Sequence, residues 1–155
     1  MQRPPNRPEP RGRTGNLQPK SEVGRKNLMP YLVIGLGGFF GANARFIVAR
    51  WAAQKWGTQF PFGTFIINIT GSFILGLFAT LAARFAWSDY WRLLIAIGFV
   101  GAYTTFSTFE FESLQLLAQG SFARAFANIV GSVCFGFGAA YLGVFVGRLL
   151  TRGHA

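Results

Sequence analysis

The stretch 63–83, Gly63-Thr64-Phe65-Ile66-Ile67-Asn68-Ile69-Thr70-Gly71-Ser72-Phe73-Ile74-Leu75-Gly76-Leu77-Phe78-Ala79-Thr80-Leu81-Ala82-Ala83, contains no ionisable side chain. A helix rises about 1.5 Å per residue and bilayer hydrocarbon is about 30 Å thick, so about 20 apolar residues cross it. This stretch has that length. The same criterion finds 31–50 before it and 93–117 and 125–147 after it, the first with Arg45 well inside and the last uncharged. Trp51, Trp56, Trp87, Tyr90 and Trp91 cluster between the spans, where amphipathic rings prefer the membrane–water interface. The reading is an all-α integral membrane protein with four transmembrane helices in residues 28–150, joined by connections of about ten residues.

Composition agrees. Of 155 residues, 51% are hydrophobic and 13% charged, about half the charge of a soluble domain. The formal net charge is +10, but seven of the 15 Lys and Arg (Arg3, Arg7, Arg11, Arg13, Lys20, Arg25, Lys26) lie before the first span. Residues 1–27 also hold five of the seven prolines and few large apolar groups, which predicts a disordered basic, proline-rich tail. Residues 151–155 form a short C-terminal tail. A secretory signal ending at Ala42-Asn43-Ala44 fits less well, because the basic region is long and the apolar run continues past that site. Charges gathered in a tail, with no folded basic face, do not point to nucleic acid. Cys134 is the sole cysteine and His154 the sole histidine, which excludes an internal disulfide, a cysteine zinc cluster and a Ser-His or Cys-His pair, and argues against an enzyme.

Orientation is nearly unbiased. Arg84, Arg92, Arg148 and Arg152 fall on the N-terminal side of the membrane, against Arg50, Lys55 and Arg124 on the other. Without the tail charges, such a chain could insert both ways, and an inverted pair of identical chains becomes possible; the seven tail charges, if they count, favour the N-terminus inside. Gly37 and Gly41, Ser72 and Gly76, and Gly143 and Gly147, each four apart, are the small-residue spacing of closely packed membrane helices.

The polar residues inside the spans are the candidate site. Thr64, Asn68 and Ser72 make one stripe, and Asn128, Ser132, Gly136 and Ala140 another. Hydroxyl and amide groups in hydrocarbon must bond one another or face water. The stripes therefore either hydrogen-bond helices together or line a narrow aqueous route whose uncharged donors suit a small anion. In the third span, Gly98 and Gly101 precede Thr104-Thr105-Phe106-Ser107-Thr108-Phe109, a poor helix centre that predicts a break. Such a break frees carbonyls for a cation, or is a Ser/Thr kink without an ion. Phe106 and Phe109 share a helical face; they either pack a core or turn their positive ring edges toward an anion.

Three motifs go beyond generic membrane features. Gly37-Gly38-Phe39-Phe40-Gly41-Ala42-Asn43-Ala44-Arg45, Gly63-Thr64-Phe65-Ile66-Ile67-Asn68-Ile69-Thr70-Gly71-Ser72-Phe73 and Thr104-Thr105-Phe106-Ser107-Thr108-Phe109 resemble the GGxxGAxxR, GTxxxNxxGSF and TTFSTF signatures of the Fluc (CrcB) fluoride channels. The resemblance covers residues 31–150 with all four spans in order. It implies an antiparallel, dual-topology homodimer in a cell's inner membrane, with two fluoride pores and a central structural Na+. It places Asn68, Phe106, Phe109, Ser107, Thr108 and Ser132 along the pore. Arg45 and Glu112 are auxiliary vestibule residues by the same resemblance, and the backbone carbonyls of Gly101 and Thr104 are the Na+ ligands. Ala102 stands where the family often has a second glycine, a difference that carbonyl coordination does not feel. The rival functions are a small dual-topology, proton-coupled multidrug exporter and a non-conducting assembly subunit. The exporter wants a carboxylate within a span, and the first, second and fourth spans have none.

Overall fold

The computed structural model describes residues 20–152, with side chains from Leu28 onward. The order is α1 (Lys20–Trp56), α2 (Phe62–Arg84), α3 (Asp89–Trp91), a π-helical segment (Arg92–Val100), α4 (Gly101–Tyr103), α5 (Phe106–Ala118) and α6 (Phe122–Thr151). There is no strand among the described residues. Four spans are long and apolar enough to cross a membrane: Leu28–Trp56, Phe62–Arg84, Asp89–Ala118 and Phe122–Thr151. The third combines α3, the π-helical segment, α4 and α5.

The helices run further than hydropathy marks. Trp51, Trp56, Arg84, Arg148 and Thr151 are helical, so the connections shrink to 57–61, 85–88 and 119–121, shorter than the expected ten or so residues. An apolar count registers only the hydrocarbon depth, whereas intrahelical bonding continues through the interface until a residue stops it. Gly57 (φ +74°) and Gly120 (φ +70°) are such stops, supplying the left-handed conformation just past α1 and α5. Backbone helix also begins at Lys20, inside the segment read as tail, and Thr151 closes α6. Residues 1–19 and 153–155 of the two expected tails lie outside the described residues.

Aromatic groups mark both ends of the spans. Trp51 and Trp56 meet edge to face at 5.0 Å, with Lys55 Nζ 5.4 and 5.1 Å from the two ring centres. At the other end Trp87 stands 5.5 Å from Phe78 and 6.2 Å from Trp91. Arg124, at the start of α6, donates to Gln59 Oε1 at 3.1 Å and ties the connection after α1 to the same end.

Two helix pairs organise the interior, α2 against α6 and α1 against the third span. Both rest on absent side chains. A Cβ on Gly37 would strike the Leu94 carbonyl oxygen, and one on Gly41 the Phe99 carbonyl. Across the other pair, a Cβ on Gly76 would meet the Ala140 carbonyl and one on Gly143 the Phe73 carbonyl. The spacing of small residues thus marks the surfaces where two backbones touch, the contact that drives helix association in lipid. The π-helical segment, in which Gly101 N–H reaches back to Ala96 O, lies against α1 at these glycines. Gly143→Ala, forced against backbone, is expected to cost about 1–3 kcal/mol. Gly138→Ala on the same helix, with nothing within 4 Å of the new methyl, is expected to be neutral or slightly stabilising. Unfolding of the two variants in detergent checks the contrast, and equal stabilities would refute it.

Candidate functional site

A cavity of about 270 Å³ opens where α2, the break in the third span and α6 meet. Asn68, Ser72, Thr104, Thr105, Phe106, Phe109 and Ser132 line it, with Gly71, Leu75, Val100 and Val133. The α2 side follows from helical period, since Asn68 and Ser72 are one turn apart. Gly71, with no Cβ, lets Thr104 and Tyr103 approach α2 closely. Tyr103 is fixed there by a 2.9 Å hydrogen bond between its hydroxyl and that of Thr70 and by a stacked Phe99 ring at 5.7 Å.

The third span is interrupted at this cavity. Thr104 (φ −76°, ψ 156°) and Thr105 (φ −150°, ψ 114°) are extended between α4 and α5. The Asn68 side chain spans the gap. Its Nδ2 donates to the Thr105 carbonyl at 3.1 Å and its Oδ1 accepts from Thr105 N–H at 2.9 Å. Thr105 then caps α5: its Oγ1 accepts from Thr108 N–H at 3.3 Å and donates to Thr108 Oγ1 at 2.8 Å. The ring centres of Phe106 and Phe109 are 5.8 Å apart with planes tilted by 41°. Phe109 is buried and Phe106 is 70% exposed, so one ring is anchored while the other projects from the surface of the single chain.

A polar relay backs this wall. Ser132 Oγ stands 3.5 Å from Asn128 Oδ1, the wholly buried Asn128 donates to Ser113 Oγ at 2.9 Å, and Ser113 donates to the Phe109 carbonyl at 2.7 Å. The second stripe therefore bonds α6 to α5 just behind the anchored ring.

Of the residues singled out from sequence, Asn68, Phe106, Phe109 and Ser132 line this one cavity, and Thr104 joins them. Ser107 and Thr108 are exposed and do not line it, because successive residues on α5 turn about 100° onto other faces. Gly101 is exposed at the start of α4. Glu112 lines a second cavity of about 260 Å³ with Thr64, Gln115 and Gln119, and its buried Oε2 has no hydrogen-bond partner among the described residues. Thr64 and Glu112 stand one turn from Asn68 and Phe109 respectively, so both cavities run along α2 and α5. Arg45 is half-buried on α1 and lines neither. Thr105 falls within the predicted break but with no role of its own, although a threonine just ahead of α5 is an N-cap signal; Ser113 carries no such signal.

The profile of the family described as "CrcB-like protein, Camphor Resistance (CrcB)" matches residues 32–144, across all four spans. The chain belongs to the CrcB family. A protein of Acidobacterium capsulatum named "Fluoride-specific ion channel FluC" is 48% identical over 124 residues, covering 79% of this chain and 99% of that one. The protein of the same name from Solibacter usitatus is 40% identical over 121 residues, covering 77% and 99%. "Fluoride-specific ion channel FluC 1" of Geobacillus kaustophilus is 44% identical over 117 residues, covering 76% and 97%. These CrcB relatives carry the name of an ion channel, a non-enzymatic class, and this chain is a multi-pass membrane protein of that family. The residues lining the Asn68 cavity all lie within the matched segment.

Asn128→Ala removes a buried amide between two helices and is expected to cost about 1–2 kcal/mol. Unfolding in detergent measures it; a loss below a few tenths would show that the relay holds nothing together.

Proposed function

We propose that this protein is a fluoride-selective channel that lets the ion leave the cell passively, and that the cavity at Asn68, Phe106, Phe109 and Ser132 is one wall of its pore. The observation that carries this reading is the ring pair: two phenylalanines 5.8 Å apart at a largely apolar cavity that also takes in the side chains of Asn68, Ser72, Thr104, Thr105 and Ser132. Fluoride holds its water tightly, so a pore must offer substitutes for that water along the whole path. The second N–H of Asn68, the positive edges of the rings, and the hydroxyls of Ser72 and Ser132 once turned from the Asn68 carbonyl and Asn128 Oδ1 that they bond in the single chain are donors without charge, which bind an anion weakly enough to release it. The N-terminus of α5 opens at the same cavity and adds its positive dipole end. The names of the relatives support the choice of anion.

The reading includes two chains packed antiparallel in the inner membrane, with two pores. The exposure of Phe106, a large ring beside the cavity, supports a second chain that completes the wall. Leaving out the seven cations of the N-terminal tail and Arg45 within the first span, the balance of four cations against three across the membrane supports insertion in both orientations. Glu112 and Arg45 would then serve the vestibules, Glu112 from the second cavity along α2 and α5.

A central Na+ belongs to the same reading. The carbonyls of Gly101 and Thr104 would hold it, and the backbone here fits: the helix stops at Thr104, whose extended conformation takes its carbonyl out of the helical ladder. A cation at that depth supplies a fixed positive potential for anions and balances the carbonyl dipoles. The protein's own share is to keep those oxygens free of the Thr105 and Thr108 amides, which bond side-chain oxygens instead.

Phe109→Ile and Phe106→Ile keep apolar volume but remove the ring edge. Each is expected to lower fluoride efflux from liposomes by at least about tenfold, equivalent to about 1.4 kcal/mol in the barrier. Elution in gel filtration should be unchanged. Wild-type flux in both variants would refute the role of the rings.

A further inference from the structure

An uninterrupted helix would bond the Thr105 amide to the Gly101 carbonyl and the Thr108 amide to the Thr104 carbonyl. Neither bond forms. Thr105 N–H goes to Asn68 Oδ1 at 2.9 Å, and Thr108 N–H goes to Thr105 Oγ1 at 3.3 Å. Two side-chain oxygens thus take the two amides that would otherwise occupy the carbonyls of Gly101 and Thr104. Asn68 also donates from Nδ2 to the Thr105 carbonyl at 3.1 Å, so its amide pairs with both sides of one residue's backbone, as a neighbouring strand does in a sheet.

We propose that Thr105 is a positioning residue and Asn68 its clamp: together they hold the third span open, leave the carbonyls of Gly101 and Thr104 free, and set the first turn of α5 that carries Phe106 and Phe109. The functional consequence rests on the fluoride-channel reading; the clamp itself does not. Residue type fits the task. A β-branched side chain favours the extended backbone found at Thr105, and its hydroxyl is the cap of α5. Valine would keep the shape and lose the cap. Serine would keep the cap and lose the branch. The Asn68 amide is committed to backbone on both its oxygen and one of its N–H groups, leaving one N–H for the cavity. Asn68 is therefore first a structural partner of the third span and only second a donor to a passing ion.

The test uses the full chain. Hydrogen exchange of the Thr105 amide is followed by NMR in wild type, Asn68→Ala and Thr105→Ser, and fluoride efflux from liposomes is measured for wild type, Thr105→Val and Thr105→Ser. The amide is expected to be protected in wild type and in Thr105→Ser, and to exchange at least about tenfold faster in Asn68→Ala. Efflux is expected to fall at least about tenfold in Thr105→Val and to stay within about threefold of wild type in Thr105→Ser, since loss of a cap is worth about one decade. A Thr105→Val channel that conducts like wild type overturns the positioning role and leaves the channel reading standing. Absent fluoride flux from wild type, with the Thr105 amide protected, overturns the channel reading and leaves the clamp standing. Should Thr105→Val fail to fold, the wild-type exchange rate decides alone: a Thr105 amide as fast as an unprotected one overturns the clamp.

Discussion

The structure depends on how one peptide group is satisfied inside a membrane. Thr105 has left the helix, and hydrocarbon offers nothing to replace the lost hydrogen bonds. An unpartnered buried N–H or C=O costs about 1–3 kcal/mol even in a protein interior. The Asn68 side chain meets both needs of Thr105, at 2.9 and 3.1 Å. It can do so only because α2 is close, and α2 is close because Gly71 places no Cβ between it and Thr104. A change at any of these three positions acts on the same interruption.

The remaining architecture holds that meeting point steady. Glycine contacts lock α1 to the π-helical segment on one side and α2 to α6 on the other, with backbone nearly touching backbone. Behind the anchored Phe109, the Asn128–Ser113 bond ties α6 to α5. Polar groups in these spans therefore have two occupations. Asn128 and Ser113 face each other and act as glue, whereas Ser72 and Ser132 keep part of their surface toward the cavity.

Much of the fold was legible because membranes impose a simple rule. Runs such as 63–83 are too long, too apolar and too free of charge for another reading, and the small-residue spacings marked real backbone contacts at Gly41, Gly76 and Gly143. Helix ends were less legible, since Trp51 and Arg148 suit an interface yet still continue a helix. At the site, Asn68, Phe106, Phe109 and Ser132 converge on one cavity, but Ser107 and Thr108 face elsewhere, a distinction that depends on the phase of α5 after the break. That phase is set by Thr105, whose backbone bonds reach a residue on another helix and leave no periodic trace in the chain. Ser113 escaped notice for a related reason: its partner, Asn128, lies across a turn.

Ion release from liposomes that contain only this chain tests the central claim most directly, with external fluoride read by electrode and the assay repeated for chloride. A selective channel predicts rapid, electrogenic fluoride release and little chloride release. A folded protein that releases no fluoride, or releases chloride equally, would contradict the account.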